Sequence, residues 1–502
     1  MRVRSTLPVV GVSALLLSGC FSAPQGGGPT GAAAAGGERI SVVHMQPPRS
    51  GLTPFSDDAF KLSRWSTAET LVALDEAGDA RPALATAWEQ VAPSTWRFEL
   101  REGVTFHDGT DLTTEQVVAA LTAATRASPK PRILDGVEMT VEADPADPAG
   151  AVLVRTADVD PLVPQRLSSP QLSILAAAAY RPDGTVDPVG HGTGPFELVA
   201  VDGTSSATLD RYDGYWGGVA SAAGIDVAFV PDGTARAAAL RTGTADVVEA
   251  VPVSQASLLD EDQVFEVPMP RTNTLYLNTE RGAFTDPAVR AAARDAVDRG
   301  TIVDTVYEGR ADVAQGLLGP ALPWAAEGRP ERTETPAGDP AGAEVVLATF
   351  TDRAELPEVA VQLQQQLEAA GFTVRQVVRE YSQIESDALA GAFDAFILSR
   401  ATVLDSGDPV AYMYSDFACE GSFNIAQLCD PAIDAALQRA AQTPTGEARR
   451  AAILEAERLV LESDAAIPML HERVVQGESG DFTGVARDSR ERELVTAETA
   501  PR

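Results

Sequence analysis

Residues 345–378 read VVLATFTDRAELPEVAVQLQQQLEAAGFTVRQVV, and this stretch decides the fold class of the chain. Val345 to Phe350 is a short apolar run typical of a buried strand, and Phe372 to Val378 is a second run of the same kind. Between them, large aliphatic residues recur every four positions from Val359 to Leu367. That spacing predicts a helix over residues 357–370 with one apolar face.

A third apolar run, Phe393 to Leu398, follows the same pattern and predicts another strand. Strands that alternate with amphipathic helices favour an α/β domain with a mixed sheet. Residues 135–160 differ, since they are rich in Asp and Pro. Their composition predicts loops and short edge strands.

The first twenty residues have the pattern of an export signal. Arg2 and Arg4 precede an apolar stretch from Leu7 to Leu17, which is shorter than the roughly 20 residues that a membrane-spanning helix needs. The string Leu17-Ser18-Gly19-Cys20 resembles the bacterial lipobox, in which the cysteine is acylated and becomes the new N-terminus. We therefore predict a lipoprotein signal peptide over residues 1–19. The alternative is an ordinary signal peptide in which Cys20 is incidental.

Residues 20–37 are rich in Gly, Ala and Pro and have little apolar surface to bury. Such a composition predicts a flexible linker behind the lipidated Cys20. The folded body is then expected to begin near Glu38. It is expected to lie outside the cytoplasm, anchored to the cell membrane by its acyl chains.

The charge of the chain argues against nucleic acid as a ligand. There are 39 Lys and Arg against 72 Asp and Glu, for a net charge of −33. An acidic surface of that size repels nucleic acid and anionic lipid headgroups. The hydrophobic content of 44% is sufficient for a packed core, and beyond residue 20 no apolar run is long enough to span a membrane.

The motifs of common enzymes are not present in the sequence. It contains four histidines without metal-ligand spacing, namely His44, His107, His191 and His471. It also lacks a nucleophile elbow, a dinucleotide fingerprint and a phosphate loop. Phe106-His107-Asp108-Gly109 is interpreted as a turn, since Asp-Gly is a turn dipeptide. We therefore predict a protein that is not an enzyme and that needs no cofactor or resident metal.

Cys419 and Cys429 are the two cysteines beyond the export signal. Export places them in an oxidising space, where two cysteines across a short loop favour a disulfide. A zinc site is the alternative, but no histidine lies near them in the sequence to complete the ligand shell.

Four strings resemble the peptide and nickel class of bacterial solute-binding proteins, family 5, which serve ABC importers. They are 96–110 (WRFELREGVTFHDGT), 192–196 (GTGPF), 211–216 (RYDGYW) and the segment from Tyr276 to Arg299, which contains YLNT and FTDPAVR. They keep the family's order over most of residues 40–475, and the first string is the most specific. For most of these strings we favour a structural role over contact with a ligand.

The resemblance implies a two-lobed, type II (cluster C) periplasmic-binding-protein-like α/β fold, with mixed sheets, a hinge and an extra small domain. The implied limits are 38–70, 186–268 and 475–502 for lobe I, 71–185 for the extra domain, and 269–474 for lobe II. The hinge crossings would be residues 271–276 and 474–477. A monomer is expected.

The resemblance also implies where a solute binds. Asp405-Ser406-Gly407-Asp408-Pro409 matches the family's Asp-x-x-Asp/Glu-Pro string, whose first aspartate pairs with the α-ammonium of a bound peptide. Asp405 is thus the candidate amine anchor, unless it is a loop aspartate that caps a turn. Arg400 replaces part of a segment in which the family usually has a tryptophan, and it is expected to pair with Asp405 or with a ligand carboxylate. The other implied ligand contacts are backbone groups of Met45, Gln46, Thr402 and Val403.

The leading hypothesis is therefore an importer-linked lipoprotein that captures short peptides and delivers them to an ABC permease and its ATPase. One alternative keeps the fold and changes the solute to a metal chelate, a sugar or a cationic small molecule. Another is a regulatory envelope lipoprotein without a transport role.

Overall fold

The computed structural model describes residues 37–353, 355–403 and 406–502. The predictions on the signal peptide, on Cys20, on the linker before Gly37 and on Asp405 lie outside the described residues. Gly37–Arg502 forms one compact unit.

Strands and helices alternate along the described residues. The first are β1 (Arg39–His44), α1 (Ala59–Arg64), β2 (Val72–Leu74), β3 (Ala80–Pro82), β4 (Ala85–Ala92), β5 (Thr95–Leu100), α2 (Thr114–Arg126), β6 (Met139–Asp144), β7 (Asp147–Thr156) and α3 (Val163–Arg166). Next come β8 (Phe196–Asp202), β9 (Ser206–Arg211), β10 (Gly224–Phe229), α4 (Gly233–Arg241), β11 (Val247–Val248), α5 (Val253–Ala256) and β12 (Val264–Leu277).

The remainder of the chain continues the alternation. It contains α6 (Pro287–Ala296), α7 (Arg299–Val306), β13 (Ala311–Val313), α8 (Pro323–Gly328), β14 (Glu344–Phe350), α9 (Glu355–Ala369), β15 (Thr373–Arg379), α10 (Tyr381–Leu389), β16 (Ala395–Ala401), α11 (Val410–Phe417), α12 (Pro431–Gln442), α13 (Glu447–Glu462), β17 (Ala466–Glu478), β18 (Phe482–Thr483) and β19 (Ala500–Pro501).

The predicted strand-helix-strand unit is β14, α9 and β15. The two strands pair in parallel, and Val359, Leu363 and Leu367 of α9 are buried. Gly371 follows the helix and ends it with a φ of 100°. Residues with a side chain rarely adopt this left-handed backbone conformation. The α/β class and the mixed sheet are confirmed.

A single large sheet runs through the molecule. We call the part that contains β14, β15 and β16 one half, and the part that contains β1 and β8 to β11 the other half. Its order is β15-β14-β16-β12-β17-β11-β1-β10-β9-β8, with β13 paired to β17. The long strands β12 and β17 pair with each other and also with strands of either half. Their register shifts between Pro268 and Thr272, so the ladder is interrupted where the chain passes from one half to the other.

The expectation for residues 135–160 is wrong. They form β6 and β7, and β7 is an interior strand of a second sheet of order β4-β5-β7-β6. The Asp and Pro residues lie mostly at the ends of these strands, while Val152 and Val154 are fully buried against α2 and β5. Burial of one apolar face therefore outweighs the local composition.

The buried apolar residues form separate cores. One core is built from Leu275 to Leu470 and another from Leu71 to Ala176. A third combines residues from Ile40 to Phe229 with Val247 and with the late residues Phe482, Leu494 and Val495, and a small fourth cluster surrounds Val43 and Leu240. The residue limits of the lobes stay a prediction.

Three of the family-like strings meet in one hydrogen-bonded cluster. Thr193 Oγ1, Tyr215 Oη and Trp216 Nε1 donate to the Glu69 carboxylate at 2.7, 3.0 and 3.0 Å. His107 Nε2 lies 2.9 Å from Gly194 O and joins the first string to the second. Desolvation raises the pKa of Glu69 although these three donors oppose it. This cluster ties the four-stranded sheet of β4 to β7 to the large sheet.

Candidate functional site

A cavity of about 1850 Å³ lies where parallel strands of both halves end. Met45 follows β1 and Glu249 follows β11, while Arg353 follows β14 and residues 400–403 close β16. In open α/β sheets, ligands bind at the carboxyl ends of the strands. The wall is therefore supplied by distant segments that the sheet topology brings together.

The structure brings the described candidate residues together. Met45, Gln46, Arg400, Thr402 and Val403 all line this cavity. The backbone N–H groups of two of them already donate hydrogen bonds to other groups of the protein. Met45 N donates to Glu249 Oε2 at 3.0 Å, and Thr402 N donates to Pro270 O at 2.8 Å.

Asp405 lies outside the described residues. The nearest described residues on either side of it in the sequence, Val403 and Ser406, both line the cavity. Asp408, at the second acidic position of the string, bonds to the guanidinium of Arg449 through both carboxylate oxygens at 2.6 and 3.1 Å. That pair ties Asp408, which precedes α11, to α13.

Arg400 has a described partner that the sequence did not indicate. Its Nε and Nη2 donate to the two oxygens of Asp416 at 2.8 and 2.7 Å, and Asp416 is fully buried on α11. Its guanidinium carbon also lies 4.3 Å from the centre of the Phe423 ring. Burial alone lowers the pKa of Arg400, but the Asp416 carboxylate more than compensates and raises it. Arg400 is thus a fixed cation of the cavity wall.

The opposite wall holds a second charged network around Glu249. The Glu249 carboxylate contacts the Arg64 guanidinium, and its Oε2 lies 2.8 Å from His44 Nδ1. Trp65 Nε1 donates to His44 Nε2 at 2.8 Å, so this nitrogen accepts and Nδ1 carries the proton. Burial raises the pKa of Glu249, yet Arg64 and His44 together hold it well below its usual value.

Sequence reasoning missed Glu249 and Arg353 as wall residues and Asp416 as the buried partner of Arg400. Glu249 follows β11 directly and Arg353 lies three residues beyond β14, so a charged residue near the carboxyl end of a predicted strand was the available signal. Asp416 lies within α11 and had no comparable signal.

Residues 75–79 form the turn between β2 and β3. This turn contacts α8 and α13, which pack on the core that extends from Leu275 to Leu470. Trp324 Nε1 donates to Ala77 O at 3.2 Å, and Arg450 Nη2 bonds to Asp79 Oδ2 at 2.6 Å. Gly78 lies against Gly407, two residues beyond Asp405. We call residues 75–79 the hairpin turn.

Cys419 and Cys429 form a disulfide that joins the end of α11 to the start of α12. Asn424 strengthens the loop between them, since its Nδ2 donates to Ala418 O and Leu428 O at 3.1 and 2.6 Å. This loop carries Ser422 and Phe423 into the cavity wall.

The described part of the chain contains neither a membrane-spanning helix nor a cluster of metal ligands. None of its helices is long and apolar enough to cross a membrane. Within the same residues, no three His, Cys, Asp or Glu side chains are grouped so that they could hold a metal ion.

The family model of the bacterial extracellular solute-binding proteins, family 5 (middle part), matches residues 79–424, well over half of the chain. The chain belongs to this family. Its members are ABC solute-binding proteins.

Among curated relatives of this family 5 chain is the glutathione-binding protein GsiB of Shigella dysenteriae. It is 24% identical over 412 residues, which cover 78% of this chain and 80% of the relative.

The solved structures agree on the two-lobed fold. A nickel ABC transporter protein from Bacillus halodurans superposes with a TM-score of 0.77 at 24% identity, over 92% of this chain and 100% of that one. A dipeptide-binding protein of Pseudoalteromonas in complex with Met-Leu gives 0.73 at 19% identity, over 93% and 100%.

Proposed function

We propose that this chain is the substrate-binding lipoprotein of an ABC importer. It captures short peptides in the cavity between its two halves and delivers them to the permease and its ATPase. It is tethered outside the cytoplasm through acylated Cys20 and works as a monomer.

The observation that carries the proposal is the cavity itself. Its volume of about 1850 Å³ exceeds the roughly 300–1,000 Å³ typical of pockets for a single drug-sized molecule, so it has room for a solute of several residues. Its wall contains fixed charges of both signs, as a zwitterionic peptide requires. GsiB and the Met-Leu complex, whose names refer to peptide ligands, add support.

Asp405 is proposed to hold the peptide's α-ammonium. In the sequence it falls between Val403 and Ser406, which line the cavity. A carboxylate that a closed cleft encloses needs a cation. The charged partner that Arg400 uses is Asp416, so Arg400 does not depend on Asp405 for a counter-ion.

Native mass spectrometry of the purified full-length chain tests the function. We expect short peptides to be released from the protein on denaturation. A metal chelate or a sugar recovered instead would overturn the peptide proposal. The same chain carrying Asp405→Ala should lose the rise in Tm that the recovered peptides produce. Asp262→Ala, an exposed aspartate outside the cavity, should keep it.

A further inference from the structure

The ladder between β12 and β17 is where the two halves of the molecule meet. On one side of the register shift near Pro268, Val264 of β12 and Val475 of β17 pack on the small core around Val43. On the other side, β12 enters the core that extends from Leu275 to Leu470. The shift therefore separates parts of the ladder that belong to different cores, and rotation of one half against the other would bend the ladder there.

Four charged side chains form a network beside this shift. Glu266, which pairs with Val475 in the ladder, accepts from Arg310 Nη1 at 2.5 Å and from Arg473 Nη1 at 2.7 Å. Arg473 also donates through Nε to Asp312 Oδ2 at 3.0 Å and through Nη2 to Asp312 Oδ1. The charges alternate in sign along the network, so each inner charge has an opposite charge on both sides.

The members of the network belong to different halves. Glu266 lies on the Val264 side of the shift. Arg310 and Asp312 flank Ala311, which is buried in the core of the other half. The ion pairs therefore cross from one half to the other beside the point at which the ladder can bend.

The network has the features of an effective and salt-sensitive contact. Isolated surface ion pairs contribute little to stability, but a network that contains a bidentate arginine is an exception. Between 23 and 29% of each of the four side chains is exposed, so dissolved ions reach the charges and screen them. The hairpin turn contacts α8 and α13 in the same arrangement, so the halves enclose the cavity while these ion pairs are formed.

We propose that these four side chains form an ionic clasp across the hinge, which holds the halves in the enclosed arrangement and weakens as the ionic strength rises. Rotation about the ladder separates Glu266 from Arg310, and the attraction that is lost favours the enclosed arrangement by the same amount. The inference goes beyond the proposed function, because it concerns the conditions under which the cavity closes and not the solute that it takes.

Distances between the two halves of the unliganded full-length chain test the clasp. Nitroxide labels are attached at Val219→Cys, between β9 and β10, and at Val361→Cys on α9, two exposed positions outside the cavity wall. Cys20→Ala in every sample leaves Cys419 and Cys429, which are bonded to each other, as the remaining native cysteines. Double electron–electron resonance then gives the distribution of distances between the labels.

We expect a second distance population in the native chain when the salt concentration is raised from about 0.01 M to about 1 M, because the Debye length falls from about 30 to about 3 Å. In dilute salt, Glu266→Gln should raise the ratio of this population to the enclosed one about fivefold, and Arg310→Gln should do the same. Arg310→Lys keeps the charge and should resemble the native chain.

Asp210→Asn is the matched control, because it also removes one negative charge. Asp210 bonds to Arg39 at 2.7 Å within one half, so its loss should leave the distances as in the native chain. Far-UV circular dichroism of each variant shows whether it is folded.

Three results would overturn the clasp. The first is an identical distribution in the native chain, Glu266→Gln and Arg310→Gln at both salt concentrations. The second is an equal response to Asp210→Asn, which would indicate a general effect of net charge. The third is unfolding of both Glu266→Gln and Arg310→Gln, which would mark the network as structural. Because no solute is present, none of these results bears on the proposed function.

Discussion

The residues of the cavity wall differ in charge from the chain as a whole. Among the described wall residues, eleven are basic and eleven are acidic, whereas the full chain has 39 basic and 72 acidic residues. The cavity thus lacks the acidic excess of the rest of the protein. Because local charges dominate within an enclosed site, a solute with a carboxylate can bind inside a strongly acidic protein.

Two buried histidines predict how stability depends on pH. Burial lowers the pKa values of His107 and His471 from 6.5 to about 4. Below pH 6.5 the unfolded chain therefore binds protons that the folded chain does not accept until about pH 4. The free energy of unfolding should fall by about 2 kcal/mol for each histidine between pH 7 and pH 5. Urea denaturation at these two pH values measures the loss.

The carboxylates of the protein also titrate, so variants are needed to assign the effect. His471→Gln and His107→Gln should each show a loss between pH 7 and pH 5 that is smaller by about 2 kcal/mol than in the native chain. His191→Gln changes a half-buried histidine and serves as the control. Identical pH dependence in all variants would contradict the prediction.

At the scale of elements, the hairpin turn joins β2 to β3 and packs against Gly407, which lies between β16 and α11. Gly78 has a φ of 83°, and a Cβ placed on it would lie 2.9 Å from Gly407 O. A side chain there would push the turn away from Gly407. Because Trp324 and Arg450 hold the same turn, its displacement would disfavour the arrangement in which both halves enclose the cavity.

Gly78→Ala should therefore weaken solute binding about tenfold, since a coupling of this kind is typically worth 5–150-fold in affinity. Isothermal titration with the solute recovered from the native chain measures the effect. Gly184→Ala is the matched control, because Gly184 has a φ of 84° and a Cβ there meets nothing within 4 Å. Equal affinities in the two variants would contradict the role assigned to the contact between Gly78 and Gly407.

Elements with a single dominant local signal were predictable from the sequence. The unit of β14, α9 and β15 was predicted to within about two residues, because burial and helical spacing agree there. The interior strand β7 was not, since its pairing with β5 joins residues that are far apart in sequence. The candidate site shows the same division. Arg400 was predicted and lines the cavity, while its pairing with Asp416 depends on a tertiary contact that no local pattern encodes.

For the whole molecule, the paired strands β12 and β17 make the two halves mechanically continuous. The cavity lies beside these strands, and the register shift near Pro268 gives the ladder a point at which it can bend. A solute that contacts both halves stabilises the enclosed arrangement only by its greater affinity for it.

Attachment to the membrane is a property of the whole chain. An acyl group on Cys20 would connect the body to the membrane through residues 21–37. Cys20→Ala should move the protein from the membrane fraction to the soluble fraction and abolish labelling by an alkyne fatty acid. Ser22→Ala, in the adjacent linker, should change neither. Peptide retention by Cys20→Ala should equal that of the native chain, because the proposed binding residues all follow residue 37. Continued membrane association of the unlabelled variant would show that another segment anchors the protein.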